Sequence, residues 1–286
     1  MQVIRAETMG MCFGVRDALA ATQQLVSPQL ITIHGELVHN EQVQHHLTNR
    51  GFRSMAEDDR QNIPDTPEVL ITAHGISNAE RRRLVQAGKR LIDTTCPLVL
   101  RVHQAAQKLA AEGRHILVIG KPGHVEVRGI VEDLASYEVI SGPADVRCYE
   151  FARIGIVCQS TMPPRVAEQV RGAVLKLNPQ ADVRSLDTIC QPTRDRQAAV
   201  ERLLSQVQGV VVVGGQHSNN TRELAALCRE RGLPTFHVQG PGDLREEWFT
   251  GMAVVGLTAG TSTLDETISA VHDALIHFAD QLVPAT

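Results

Sequence analysis

The stretch Leu91-Ile92-Asp93-Thr94-Thr95-Cys96-Pro97-Leu98-Val99 runs from a short apolar strand through a cysteine to a proline that can open a helix. Two other cysteines have similar surroundings, since Cys12 follows a predicted strand at 2–6 and Cys190 follows one at 182–186. The three cysteines are spaced at nearly equal intervals along the chain. This repeated strand-cysteine-helix pattern predicts three related α/β units, each with a thiol at the end of a strand, where parallel sheets bind ligands.

The composition is that of an ordinary globular protein. The chain has 286 residues, of which 43% are hydrophobic, 21% charged and 3% aromatic, so we expect a core built mainly from Val, Leu, Ile and Ala. Its length allows two or three domains. The formal net charge of −4 offers no basic surface, so no nucleic-acid partner is expected.

The sequence predicts a cytoplasmic protein without a membrane partner. The longest apolar runs, such as 210–213, are far too short to cross a bilayer, and residues 1–6 lack the basic and apolar regions of a signal peptide. The six cysteines are therefore expected to be thiols that act as metal ligands, catalysts or packing residues, and disulfides are the weaker alternative.

Strands and helices are predicted to alternate from end to end, which favours parallel sheets with right-handed crossovers. Short apolar runs such as 69–71 are typical of strands buried on both faces. Three domains are predicted, at 1–96, 97–189 and 190–286, with the N-terminal strand and the Cys12 loop packing with the third. Predicted strands lie at 2–6, 30–33, 69–72, 90–93, 115–119, 137–140, 154–158, 182–186, 209–213, 234–238 and 252–257, and predicted helices at 15–25, 97–112, 194–204, 220–230 and 262–278.

Small clusters of His, Ser, Thr, Asn and Gly follow several predicted strands. They lie where helices begin, and the exposed N–H groups and positive dipole end of a helix N-terminus favour an anion. We therefore predict a phosphate or diphosphate ligand. No G-x-G-x-x-G or G-x-x-x-x-G-K-[ST] motif follows a strand, which argues against a dinucleotide cofactor and a nucleotide triphosphatase. The clusters lie at 33–40, 72–77, 120–126, 158–161, 214–220 and 258–262.

Each of these residues has a structural alternative when it is considered alone. One Ser or Asn at a helix start is more often an N-cap than a ligand contact, and one His after a strand is at least as often structural. Cys148, Cys158 and Cys228 are predicted to be packing residues. From the residues alone, a metal triad made of the three cysteines of the repeated pattern stays undecided, because no C-x-x-C pair supports it.

Eight short motifs follow one another in a fixed order along the chain. They are Gly10-Met11-Cys12-Phe13-Gly14-Val15, Glu36-Leu37-Val38-His39-Asn40, Ala73-His74-Gly75, Thr95-Cys96-Pro97-Leu98-Val99, Gly123-His124-Val125-Glu126-Val127, Gln159-Ser160-Thr161, Thr188-Ile189-Cys190 and Ala259-Gly260-Thr261-Ser262. In order and spacing the chain resembles the LytB (IspH) family of 4-hydroxy-3-methylbut-2-enyl diphosphate reductases, from Met1 to the closing helix.

The resemblance implies a three-domain α/β trefoil with mainly parallel sheets around a central iron-sulfur site. One 4Fe-4S cluster would be held by Cys12, Cys96 and Cys190, and its fourth iron would stay open to the allylic hydroxyl of the substrate.

The resemblance also implies the residues that bind and convert the substrate. Glu126 would deliver protons, Ser160 would orient the hydroxyl and relay protons, and His124 belongs with them to the catalytic set. Carried over by position, the substrate-binding residues are His39, His74, His124, Ser160, Ser218, Asn219, Asn220 and Ser262.

Three positions depart from the usual family pattern without removing a chemical function. Val125 replaces a proline, Ser160 stands for Thr and keeps the hydroxyl, and Asn219 stands for Ser and keeps a donor and an acceptor. Arg128 occupies a position where an acidic residue is frequent, and we expect it to influence the field near Glu126.

The implied activity is reductive dehydroxylation of (E)-4-hydroxy-3-methylbut-2-enyl diphosphate to isopentenyl and dimethylallyl diphosphate, the last step of the methylerythritol phosphate route to isoprenoids. Ferredoxin or flavodoxin would supply electrons, since no flavin or nicotinamide site is recognised. The alternatives are a three-cysteine 4Fe-4S dehydratase of the quinolinate synthase type, a three-cysteine zinc enzyme, and a non-catalytic protein that binds an isoprenoid diphosphate.

Overall fold

The computed structural model describes residues 1–281, so the last five residues of the predicted third domain, 282–286, lie outside the described residues. The chain forms two compact units. Unit 1 contains Met1–Phe13, His39–Glu41 and the chain from Gln191 onward, and unit 2 contains Gly14–Val38 and Gln42–Cys190.

Strands and helices alternate along the described chain, as the apolar periodicity predicts. The strands are β1 (Gln2–Arg5), β2 (Ile31–Ile33), β3 (Arg53–Ser54), β4 (Glu68–Ile71), β5 (Arg90–Asp93), β6 (His115–Ile119), β7 (Tyr137–Ile140), β8 (Arg153–Cys158), β9 (Asp182–Ser185), β10 (Gly209–Val213), β11 (Thr235–Val238) and β12 (Val254–Ala259). The α-helices are α1 (Phe13–Gln23), α2 (Glu41–Asn49), α3 (Asn78–Gln86), α4 (Pro97–Ala111), α5 (Val125–Val131), α6 (Pro164–Leu177), α7 (Gln191–Leu204), α8 (Asn219–Glu230) and α9 (Asp265–Gln281). No helix among residues 1–281 combines the length and the apolar character that a membrane span needs.

Unit 2 contains two four-stranded parallel sheets. One has the order β3-β2-β4-β5 and the other the order β7-β6-β8-β9. All five residues of β6 are buried, because this central strand is covered on both faces. In the register of the second sheet, Val118 lies opposite Val139 of β7 and Val157 of β8.

Unit 1 contains one four-stranded parallel sheet in which the first and last strands of the chain are neighbours. Its order is β1-β12-β10-β11. Val3 of β1 lies opposite Val255 of β12, and β10 is completely buried. Alternate valines of β10 face opposite sides, so that Val211 and Val213 pack in one hydrophobic cluster and Val210 and Val212 in another.

The three parallel sheets confirm the predicted α/β class, and most predicted strand boundaries agree within one or two residues. The sequence did not identify β3, which has only two residues, or helices α2, α3, α5 and α6. Helix α5 has only seven residues, so it is too short to show a repeating apolar pattern in the sequence.

Candidate active site

Each cysteine of the repeated pattern lies directly before a helix. Cys12 precedes α1, Cys96 is the N-cap of α4 with Pro97 as the first helical residue, and Cys190 precedes α7. All three are half-buried thiols. A helix N-terminus presents free N–H groups and a partial positive charge. The thiolate is the form of cysteine that binds metals. Across residues 1–281, no group of three or more His, Cys, Asp or Glu side chains is arranged to hold a metal ion.

A glycine makes room for the thiol of Cys96 in unit 2. A Cβ atom on Gly14 would lie 2.5 Å from Cys96 Sγ and 3.2 Å from its Cβ. No side chain fits in that space, so the first turn of α1 passes Cys96 with backbone alone. The amide of Cys96 donates to the carbonyl oxygen of Ala73 at 3.1 Å, next to His74.

Two predicted histidines of unit 2 lie side by side. The rings of His74 and His124 have centroids 5.8 Å apart and are nearly perpendicular. His124 is the N-cap of α5, and its Nδ1 accepts a hydrogen bond from the amide of Glu126 at 3.1 Å. The neutral ring of His124 therefore carries its proton on Nε2, which makes this nitrogen a donor for an anion.

Glu126 and Ser160 form a buried pair that the sequence could predict only through resemblance. The amide of Ser160 donates to Glu126 Oε1 at 2.6 Å, and the hydroxyl of Ser160 donates to Oε2 at 2.9 Å. Glu126 is only 2% exposed, which excludes the alternative of a solvent-facing carboxylate at a helix start. The carbonyl oxygen of Ser160 accepts a hydrogen bond from the amide of Cys190 at 2.8 Å, so this backbone hydrogen bond connects the pair to the cysteine.

Unit 1 brings the other predicted residues together around the segment Thr261-Ser262. Ser262 Oγ donates to the carbonyl oxygen of His39 at 3.1 Å, and Asn40 Nδ2 donates to the carbonyl oxygen of Ser262 at 2.7 Å. The carbonyl oxygen of Thr261 accepts from the amide of Cys12 at 3.1 Å. Asn40 and Thr261 were not predicted as site residues, although both lie inside the quoted motifs.

The start of α8 lies beside the same segment. Ser218 is the N-cap of α8 and accepts a hydrogen bond from the amide of Thr221, while Asn219 and Asn220 are buried in the first turn. Asn220 Oδ1 accepts from the amide of Thr261 at 3.1 Å. Asn220 is 2% exposed, and its Nδ2 has no hydrogen-bond partner among the described residues. A buried amide donor requires an acceptor, and a diphosphate oxygen can supply it.

Three cysteines and one histidine lie outside these motifs. Cys158 and Cys228 are buried in hydrophobic clusters, as predicted, and burial raises the pKa of Cys228 to about 12. The packing prediction is wrong for Cys148, which is exposed because it lies in an irregular segment after β7. His34 follows β2 in one of the predicted clusters but is fully buried beside Glu80, at 2.9 Å between Nε2 and Oε1.

Comparison with known proteins agrees with this arrangement. The fold and the site define an α/β protein with three parallel sheets. Near each sheet, a cysteine lies directly before a helix. The family described as LytB protein matches residues 3–276. The chain therefore belongs to the LytB family.

Individual relatives support the same assignment. The 4-hydroxy-3-methylbut-2-enyl diphosphate reductase of Anaeromyxobacter sp. (strain Fw109-5) is 34% identical over 95% of both chains, and that of Aquifex aeolicus is 32% identical over 95% of this chain and 94% of the relative. A solved structure of (E)-4-hydroxy-3-methyl-but-2-enyl diphosphate reductase matches with a TM-score of 0.65 and 31% identity, covering 97% of this chain and all of the other. The Plasmodium falciparum E-1-hydroxy-2-methyl-but-2-enyl-4-diphosphate reductase has the same fold, with a TM-score of 0.86 at 24% identity over 99% of this chain and 89% of its own.

A substitution at Gly215 tests whether the position of the His39 backbone matters for anion binding. A Cβ atom on Gly215 would lie 2.6 Å from the carbonyl oxygen of His39, so Gly215→Ala must displace that segment. We expect Gly215→Ala to bind inorganic pyrophosphate about tenfold more weakly in isothermal titration calorimetry. Gly242→Ala is the control, because a Cβ there meets nothing within 4 Å. Equal affinities of the two variants would contradict the prediction.

Proposed function

We propose that this chain reduces (E)-4-hydroxy-3-methylbut-2-enyl diphosphate to isopentenyl diphosphate and dimethylallyl diphosphate, with release of water, as the last step of the methylerythritol phosphate pathway. The observation that carries the proposal is the buried Glu126–Ser160 pair, which lies in the same unit as His74, His124 and two of the three repeated cysteines. Family membership supports it, because the relatives are named for this reaction. The alternatives are not favoured, because the family and the relatives named above are those of the reductase.

The proposed cofactor is one 4Fe-4S cluster held by Cys12, Cys96 and Cys190. These residues fit the group: they are thiols at helix N-termini, and soft thiolates are the ligands that iron-sulfur clusters require. When bound, the cluster would supply low-potential electrons and a Lewis-acid site for the hydroxyl oxygen.

The diphosphate would be bound by several hydrogen-bond donors. In unit 2, His124 accepts a hydrogen bond at Nδ1 and so carries its proton on Nε2, and the ring of His74 lies edge-on to it. In unit 1, the buried Nδ2 of Asn220 would gain the acceptor that it lacks among the described residues. His39, Ser218, Asn219 and Ser262 complete the proposed set. Several donors are needed because a diphosphate presents many acceptor oxygens and its charge must be compensated once water is displaced.

Glu126 and Ser160 would move the protons of the reaction. The substrate loses its C–O bond and gains a C–H bond, and two electrons and two protons are consumed for each water released. Protonated Glu126 would pass a proton through the Ser160 hydroxyl to the leaving oxygen, since Ser160 Oγ and Glu126 Oε2 are already hydrogen-bonded at 2.9 Å. Both side chains are buried, which would keep bulk water away, so the proton would reach the substrate through this pair.

Electrons would come from an external one-electron donor, with ferredoxin or flavodoxin as the expected partner. Biosynthesis from a small diphosphate with such a donor is consistent with the cytoplasmic location expected from the sequence.

The proposal is tested by anaerobic oxidation of a reduced viologen by cluster-reconstituted protein, with and without the hydroxylated substrate. Oxidation that depends on the substrate and yields both five-carbon diphosphates is expected. If protein with full iron and sulfide content shows no such oxidation, the proposed substrate is wrong.

Glu126→Gln separates substrate binding from chemistry. The amide keeps an acceptor for the Ser160 amide and occupies the same volume, but it cannot deliver a proton, so we expect turnover to fall at least about a hundredfold. Substrate binding, followed by the change of the cluster spectrum on titration, should remain. Unchanged turnover would remove Glu126 from the mechanism.

Cys96→Ser tests the proposed ligand set. Replacing a soft thiolate with a hydroxyl should lower the iron and sulfide bound per chain after anaerobic reconstitution. Cys148→Ser is the matched control, because Cys148 is exposed and tolerates a hydroxyl. Equal iron content in both variants would show that Cys96 is not a ligand.

A further inference from the structure

Arg196 is a buried cation in α7 whose guanidinium binds two backbone carbonyl groups. Its side chain donates to the carbonyl oxygen of Gly10 from Nε at 3.0 Å and from Nη2 at 2.6 Å. Nη1 donates to the carbonyl oxygen of Pro192 at 2.9 Å. Arg196 is only 5% exposed. A desolvated guanidinium is costly unless its donors are satisfied, so this geometry is strongly determined.

The two carbonyl groups flank two of the proposed ligands in the sequence. Gly10 comes two residues before Cys12, and Pro192 comes two residues after Cys190. The planar fork of one guanidinium therefore fixes the backbone at both places. Lysine cannot reproduce this, because an ammonium is a single point charge without two parallel donors.

Two backbone hydrogen bonds also hold the turn that leads to Cys12. The amide of Gly10 donates a hydrogen bond to the carbonyl oxygen of Ala259 at 3.2 Å, and the amide of Cys12 donates one to the carbonyl oxygen of Thr261 at 3.1 Å. Gly10 has a φ of +74°, and a Cβ atom there would lie 2.7 Å from Ile268 Cδ1, so the turn is held in a conformation that only glycine adopts readily. Arg196 fixes the direction of the Gly10 carbonyl between these two amides.

We propose that Arg196 is a positioning residue that holds the Cys12 turn in the conformation in which its thiolate binds the cluster. The inference rests on the proposed function, because it takes Cys12 to be a ligand. Without Arg196, the Gly10 carbonyl loses a bidentate, charge-assisted interaction inside the protein, and other conformations of the turn become populated. The cluster should then bind less completely and dissociate faster.

Another arginine of the same helix provides a matched control. Arg202 donates to Glu7 Oε2 at 2.6 Å and 3.0 Å, so it also connects α7 to the N-terminal segment. Both partners of this pair are exposed, and surface ion pairs contribute little to stability. Arg202→Met removes an arginine from α7 without touching the Cys12 turn.

The first measurement uses the metal-free full chain and compares amide hydrogen exchange of residues 9–13 in the parent, Arg196→Lys, Arg196→Met and Arg202→Met. We expect exchange in this turn to be about tenfold faster in both Arg196 variants and unchanged in Arg202→Met. Unchanged exchange in Arg196→Lys and Arg196→Met overturns the proposal. If Arg196→Met fails to fold, Arg196→Lys alone decides.

The second measurement follows iron and sulfide per chain and the rate of iron loss to a chelator after anaerobic reconstitution. We expect iron loss to be about tenfold faster in Arg196→Met, with partial rescue in Arg196→Lys and parent behaviour in Arg202→Met. Parent rates in Arg196→Met overturn the proposal. Cys12→Ser separates a failure of this proposal from a failure of the proposed ligand set. If Cys12→Ser keeps the iron content of the parent, Cys12 is not a ligand and the proposed ligand set fails. Hydrogen exchange of the metal-free chain does not depend on bound iron, so it still reports on the turn.

Discussion

Parallel strand pairing is the constraint on which the candidate site depends. Because neighbouring strands run in the same direction, their carboxyl ends meet at one edge of each sheet. In unit 2, the segments after β4 and β5 carry His74 and Cys96, and those after β6 and β8 carry His124 and Ser160. In unit 1, the segments after β10 and β12 carry the start of α8 and Ser262. The sheets therefore gather residues that are far apart in the sequence.

Burial alone does not mark a functional residue in this protein. His34 lies in a predicted anion cluster and is fully buried beside the half-buried Glu80. Burial by itself raises the pKa of Glu80, but hydrogen bonds from His34 and Arg83 outweigh it and lower the pKa to about 2. Both members of this pair lie within unit 2. Glu126 is more deeply buried, and its carboxylate is hydrogen-bonded to a hydroxyl, which can pass a proton on to a third group. The two carboxylates therefore differ in the group to which each is hydrogen-bonded.

The cysteines illustrate the same distinction. Cys158 and Cys228 lie inside hydrophobic clusters, and the raised pKa of Cys228 keeps it a thiol. Cys12, Cys96 and Cys190 are instead half-buried and lie directly before helices. Backbone hydrogen bonds to Thr261, Ala73 and Ser160 hold their amides, so each thiol is attached to a segment with little freedom. Such rigidity is what a fixed set of ligands requires.

The sequence by itself determined the α/β class, the three strand-cysteine-helix repeats and, through its motifs, the candidate residues, because these features depend on local periodicity and on short runs of side chains. Tertiary structure alone decided that Glu126 binds Ser160, that Cys148 is exposed, that β1 pairs with β12 and that α5 is a helix. The contact between Arg196 and Gly10 joins residues 186 positions apart. No local pattern records such a contact, because its energy arises only when packing removes both groups from water.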